Sequence, residues 1–214
     1  MVMVKICGIT KEADIEAAVD AGVDMLGFVV GVPSSPRNIP ISKVKNLINK
    51  VPRSVDSVAV TVFKTMDELQ QIFVELKTDY LQLHGNYYHT LESMSEIPKS
   101  RIIAAVDGRV SNALDLAAEL SGIFQSVLVD TAGAGGLGGT GIAHDWKYSR
   151  KIRDIIYPKP LILAGGLTPR NVGDAIRAVK PFGVDVSSGV EMKPGIKDRE
   201  KIFEFVTKAK ETKP

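Results

Sequence analysis

Cysteine, charge of one sign and long apolar runs are all scarce in this 214-residue chain, and each scarcity excludes a class of protein. A single Cys cannot close an internal disulfide, so a reducing compartment, the cytoplasm, is the expected location. With 27 Lys and Arg against 25 Asp and Glu, the formal charge is only +2. That balance supplies neither the basic field that nucleic acid requires nor the polybasic stripe of a membrane-surface helix, and neither partner is expected. Apolar residues make up 44% of the chain, yet no window approaches the ~20 unbroken apolar residues that a bilayer helix requires. The first ten residues run strand-like, without the basic region, apolar stretch and cleavage site of a secretory signal. No His, Cys, Asp and Glu cluster has ligand spacing, so no metal is expected.

What the chain does have is alternation. Short runs rich in Val, Ile and Leu are each followed by a segment of helical period, eight times over. The strand candidates are Val2–Cys7, Asp24–Val30, Val55–Val62, Asp79–His84, Arg101–Val106, Gln125–Asp130, Pro160–Ala164 and Phe182–Ser187. The helical candidates are Lys11–Ala21, Ser42–Val51, Met66–Lys77, Tyr87–Glu96, Asn112–Leu120, Trp146–Tyr157, Pro169–Val179 and Arg199–Lys210. Thr168-Pro169 reads as a capping hydroxyl before a first-turn proline, and Gly22 as a left-handed helix end. Eight pairs of about 27 residues leave no room for a second domain, and strict alternation implies parallel strands with right-handed crossovers. The expectation is an α/β fold, a single (β/α)8 TIM barrel over residues 1–214. An open doubly wound sheet is the competitor, disfavoured because no nucleotide fingerprint occupies the first βα turn.

Barrel enzymes keep their chemistry at the carboxyl ends of the strands, which narrows the search. Gly165-Gly166 after strand seven and Ser187-Ser188-Gly189 after strand eight bring small residues to the two loops where barrels often hold phosphate. A phosphorylated small molecule is the expected substrate. The Thr131–Gly141 segment, TAGAGGLGGTG, matches a dinucleotide fingerprint only formally. No helix opens directly after its strand and no Lys precedes Thr140, so it reads as a lid over the barrel mouth.

Cys7 ends strand one ahead of a helix expected to start near Thr10, whose positive end would help hold a thiolate as base or nucleophile. Asp130 ends strand six after Val127-Leu128-Val129, a setting that raises a carboxyl's pKa toward general-acid service. Acid and base addressing one small substrate from opposite sides suit a proton-moving isomerisation. Arg37, after Ser35-Pro36, carries a planar fork suited to a carboxylate. His84 in LQLHG reads as a polar wall of the site rather than a metal ligand. If Cys7 and Ser187 face the mouth, period two places Lys5 and Asp185 one layer deeper on neighbouring strands, where isolated charges are costly. A buried Lys5–Asp185 pair is therefore expected.

These residues sit in KICGIT (Lys5–Thr10), GFVV and SSPR between Gly27 and Arg37, LQLHG (Leu81–Gly85), LVDTAGAGGLGGTG (Leu128–Gly141), LAGGLTPRNV (Leu163–Val172) and VDVSSGVE (Val184–Glu191). As a set, in this order and over nearly the whole chain, they resemble the phosphoribosylanthranilate isomerase family of tryptophan biosynthesis. The resemblance implies a cofactor-free Amadori rearrangement with Asp130 as general acid and Cys7 as general base. It also implies that Arg37 holds the anthranilate carboxylate and that Asp185 meets the ribose or the bridging nitrogen. The phosphate would lie on Gly165, Gly166, Ser187, Ser188 and Gly189, with Gly138 and Gly139 closing above. The chain departs from the family pattern at His144 in HDW, which bears on lid packing, and in strand three, VAVTVFK, which bears on how Phe63 meets the aromatic ring. Another phosphosugar-isomerising barrel and a non-catalytic phosphometabolite sensor are the rival readings. The first lacks support because no half-to-half repeat is visible, and the second would not require both Cys7 and Asp130. A monomer or a homodimer is compatible with the sequence.

Overall fold

A computed structural model describes residues 1–85, 97–130 and 145–213. Strands covered on both faces lose the two-residue alternation and become continuous Val, Ile and Leu runs, which is why these runs could be picked out. They form β1 (Met3–Cys7), β2 (Met25–Val29), β3 (Asp56–Thr61), β4 (Tyr80–Leu83), β5 (Ile102–Asp107), β6 (Ser126–Asp130), β7 (Leu161–Leu163) and β8 (Gly183–Val186). All eight pair in parallel and in chain order, and β8 closes on β1. The helices among the described residues are α1 (Glu12–Asp20), α2 (Ile41–Ile48), α3 (Met66–Leu76), α4 (Ala113–Ile123), α5 (Trp146–Ile156), α6 (Val172–Val179) and α7 (Arg199–Glu211). The helix expected over Tyr87–Glu96, the glycine-rich segment with Gly138 and Gly139, and His144 lie outside the described residues.

Closure divides the apolar residues into two cores. Alternate strand residues such as Val4, Ile6, Leu26, Phe28, Val127, Val129 and Leu163 face the helices, while Met25, Val58, Ile103, Leu128 and Ile162 fill the barrel interior. Phe63 belongs to the outer core and is fully buried there, so the expectation that it meets the substrate ring is corrected. Parity explains this: Val58, Val60 and Val62 take the inward side, and Phe63 takes the other.

Local chemistry sets the element ends. α1 stops in a left-handed turn at Gly22 (φ 86°), whose N–H donates to Val19 O while Val23 N–H donates to Ala18 O. The helix expected from Pro169 begins three residues later, at Val172. Asn171 accepts from Thr168 N–H through its side-chain oxygen (2.8 Å) and donates to Gly166 O (2.9 Å). This folds Thr168–Asn171 into a turn that takes the place of the first helical one. After β8 the chain forms an antiparallel hairpin, β9 (Glu191–Lys193) and β10 (Ile196–Lys197), before Asp198 caps α7. No helix among the described residues is long and apolar enough to cross a membrane.

Candidate active site

The carboxyl ends of the strands enclose a cavity of about 680 Å³, open solvent included, that is lined by Cys7, Arg37, Gln82, His84, Asp130, Asp185, the Ala164–Leu167 turn and Ser187-Ser188. Cys7 from β1 and Asp130 from β6 therefore open onto one space rather than two. The apolar wall is Val29, Val32, Val60 and Val62. Two glycines make room for longer neighbours. A Cβ on Gly27 would lie 2.9 Å from Cys7 Sγ and 3.0 Å from Lys5 Nζ, and one on Gly8 (φ 76°) would lie 2.5 Å from Arg37 Cδ.

Below the mouth, Lys5 Nζ lies 2.9 Å from Asp185 Oδ1, with neither side chain substantially exposed. This is the pair that strand parity called for, on directly opposed residues of β1 and β8. Burial works against the Lys5 ammonium, but Asp185 and the Cys7 sulfur more than offset it and hold its pKa above the ordinary value. Burial pushes the Cys7 thiol up, with Lys5 and Lys197 acting the other way. The expectation that the α1 terminus holds a thiolate is therefore corrected. The helix begins only at Glu12, and the dry surroundings of the sulfur outweigh the charges near it.

His84 follows β4 directly, with Nε2 2.8 Å from Gln82 Nε2. Burial and the Lys5 charge push it down to about 4, so the ring is neutral at physiological pH. Arg37 is buried, and its Nε and Nη2 each donate to Glu191 at 2.8 Å. The edge of the fork expected to grip a substrate carboxylate is thus occupied by an internal one. Asp130 is half-buried, and its backbone carbonyl accepts from Gly108 N–H (2.8 Å).

The loops after β7 and β8 meet. Gly165 and Gly166 adopt φ of 83° and 65°, and a Cβ on Gly189 would lie 1.9 Å from Leu167 O. Gly165, Gly166, Ser187 and Ser188 line the cavity, whereas Gly189 supports them from behind by allowing this close approach. Among the described residues no group of three or more His, Cys, Asp and Glu is arranged to hold a metal ion.

The family model for N-(5'phosphoribosyl)anthranilate (PRA) isomerase matches residues 4–208, from the second residue of β1 through most of α7. The chain belongs to the N-(5'-phosphoribosyl)anthranilate isomerase family. It is 44% identical to the Methanothrix thermoacetophila enzyme of that name over 210 residues, covering 98% of this chain and 99% of that one. The crystal structure of phosphoribosyl anthranilate isomerase from Thermotoga maritima superposes with a TM-score of 0.85 at 33% identity, covering 98% and 99% of the two chains. Another phosphoribosyl anthranilate isomerase structure, in complex with reduced 1-(o-carboxyphenylamino)-1-deoxyribulose 5-phosphate, has a TM-score of 0.82 at 32% identity, covering 98% and 99% of the two chains. The isomerase barrel also contains polar residues that sequence reasoning passed over: Gln82, Glu191 and Lys197. Gln82 was findable from the parity that found Asp185, since it shares an inward position with His84. Glu191 and Lys197 depend on a hairpin whose one local signal is Pro194-Gly195.

Proposed function

We propose that the chain catalyses the Amadori rearrangement of N-(5-phosphoribosyl)anthranilate to 1-(2-carboxyphenylamino)-1-deoxyribulose 5-phosphate, with Asp130 as general acid and Cys7 as general base. One observation carries this reading: the two side chains, from opposite sides of a barrel of this family, line the same cavity as the small-residue loops after β7 and β8.

The phosphate anchors on Gly165, Gly166, Ser187 and Ser188, with Gly189 shaping the turn. Arg37 takes the anthranilate carboxylate, and the valine wall takes the ring. Asp130 gives its proton to the furanose ring oxygen while the anthranilate nitrogen pushes its lone pair toward C1, breaking the C1–O bond to leave a C4 hydroxyl and an iminium. Cys7, acting in its deprotonated form against the burial that favours the thiol, then removes the C2 proton, and those electrons neutralise the iminium to give an enolamine, which tautomerises to the ketone. The substrate's own nitrogen serves as electron source and sink, so the reaction calls for no cofactor. Lys5 favours the thiolate from beneath, and Asp185 lies where it can meet the ribose or the bridging nitrogen. A single domain working in the cytoplasm, as monomer or homodimer, fits this reading.

The test is turnover. The purified chain should consume N-(5-phosphoribosyl)anthranilate with loss of its fluorescence, without added metal or cofactor. Binding without turnover would instead identify a phosphometabolite sensor.

A further inference from the structure

We infer that Glu191 and Lys197, the acid and amine of the β9–β10 hairpin, are positioning residues that fix Arg37 relative to the phosphate loop and so set the spacing at which the substrate's carboxylate and phosphate are read. This rests on the reading of Arg37 as the carboxylate-binding residue. The observation behind it is a continuous chain of contacts, buried from Arg37 to Lys197 and part-buried at Ser187. Arg37 donates twice to Glu191, from Nε to Oε1 and from Nη2 to Oε2, both at 2.8 Å. Glu191 Oε1 also accepts from Lys197 Nζ at 2.9 Å. Lys197 Nζ in turn donates to Ser187 O at 3.0 Å, and Ser187 Oγ donates to Cys7 O at 3.1 Å. The chain thus runs from the arginine, through the hairpin, to the phosphate loop and the backbone of the proposed base.

Charge points the same way. The cluster holds two cations and one carboxylate, with side-chain exposures of 11% for Arg37, 4% for Glu191 and 1% for Lys197. A group that served only to hold the fold would balance its charges, because a buried excess charge is costly. Within these three side chains one positive charge is left over, with Asp14 the next buried carboxylate in the field of Lys197, and an anion bound at Arg37 would add a matching charge on the cavity side. Burial lowers the Lys197 pKa despite Glu191, as expected for an ammonium in excess, while the two cations hold the Glu191 carboxyl below its ordinary value despite burial.

The backbone shows that the hairpin is built against the arginine. A Cβ on Gly195 (φ 79°) would lie 2.7 Å from Pro36 O, and Thr10 Oγ1 donates to Gly195 O at 2.9 Å. The hairpin turn is thereby clamped between the segment that carries Arg37 and the loop that follows Cys7. Glu191 occupies the Nε and Nη2 edge and removes the rotamer freedom of a long side chain before substrate arrives, leaving the Nη1 side of the guanidinium for the ligand.

The test is a double-mutant cycle on KM for N-(5-phosphoribosyl)anthranilate. Glu191→Gln in the parent should raise KM about 10-fold or more with kcat within about 3-fold, since only binding geometry is lost. In an Arg37→Ala background the same change should alter KM by less than about 2-fold, because its means of action is gone. Equal effects in both backgrounds would overturn the inference, as would an unchanged KM in the parent. If Glu191→Gln does not accumulate as folded protein, Glu191→Asp in the same two backgrounds must show the same non-additivity, and additivity there overturns the proposal equally. A parent that fails to turn over the substrate would instead sink the underlying assignment of function.

Discussion

Replacing Lys5 with Met isolates the electrostatics beneath the site. The Lys5 ammonium is fully buried and lies 2.9 Å from an Asp185 carboxylate that is itself only 8% exposed. Met fills a similar volume, so the change leaves the packing largely intact but strands a buried carboxylate. Removing one partner of a buried pair costs about 3–5 kcal/mol, against a total domain stability of about 5–15 kcal/mol. For a chain of this size each kcal/mol moves Tm by about 2–4 °C, so the variant should melt about 6–20 °C below the parent. A second substitution, Asp185→Asn in the Lys5→Met background, removes the stranded charge and should recover most of the loss. Thermal unfolding followed by circular dichroism, in the absence of substrate, reads both effects. A single variant melting within about 2 °C of the parent, or a double variant no more stable than the single, would refute the description of Lys5 and Asp185 as a mutually dependent buried pair.

Arg37→Ala should raise KM steeply while leaving kcat within a few-fold, as measured by steady-state fluorescence. Because His84 is pushed down to about 4, it is neutral through the working range, and kcat/KM should show no inflection near 6.5. The same shift predicts a stability loss as pH falls below about 6.5, where the unfolded chain takes up a proton that the folded one refuses; this is up to about 2 kcal/mol at pH 5, and His84→Gln should abolish that part of the slope in urea titrations at pH 7 and pH 5. Gly27→Ala places a methyl against Cys7 Sγ and Lys5 Nζ and should lower both stability, by about 1–3 kcal/mol, and kcat; an unperturbed variant would show that the space above Gly27 is not needed.

The residues found from sequence share a property: period two along a strand and chain order around a barrel are enough to locate them. Lys5 and Asp185 are 180 positions apart, yet closure makes β1 and β8 neighbours, and parity then places the two on one layer. The residues missed depend on chain reversals that no period encodes. Glu191 reaches Arg37 only because Pro194-Gly195 folds the loop after β8 back over the β2 loop. The start of α6 was misplaced for a related reason, since the Asn171 side chain supplies hydrogen bonds that a helical turn would otherwise make. At Cys7 the difference is one of magnitude: a helix terminus is legible in the sequence, but the desolvation of a thiol deep in a barrel is not.

Under the proposed function, a sulfur on β1 and a carboxyl on β6 divide acid and base work on one phosphorylated sugar. Steady-state kinetics of Cys7→Ser and Asp130→Asn, followed by the loss of substrate fluorescence, tests it most directly. In each variant kcat should fall by about 10²–10⁴-fold while KM stays within a few-fold of the parent. Near-parental turnover in either variant would contradict it.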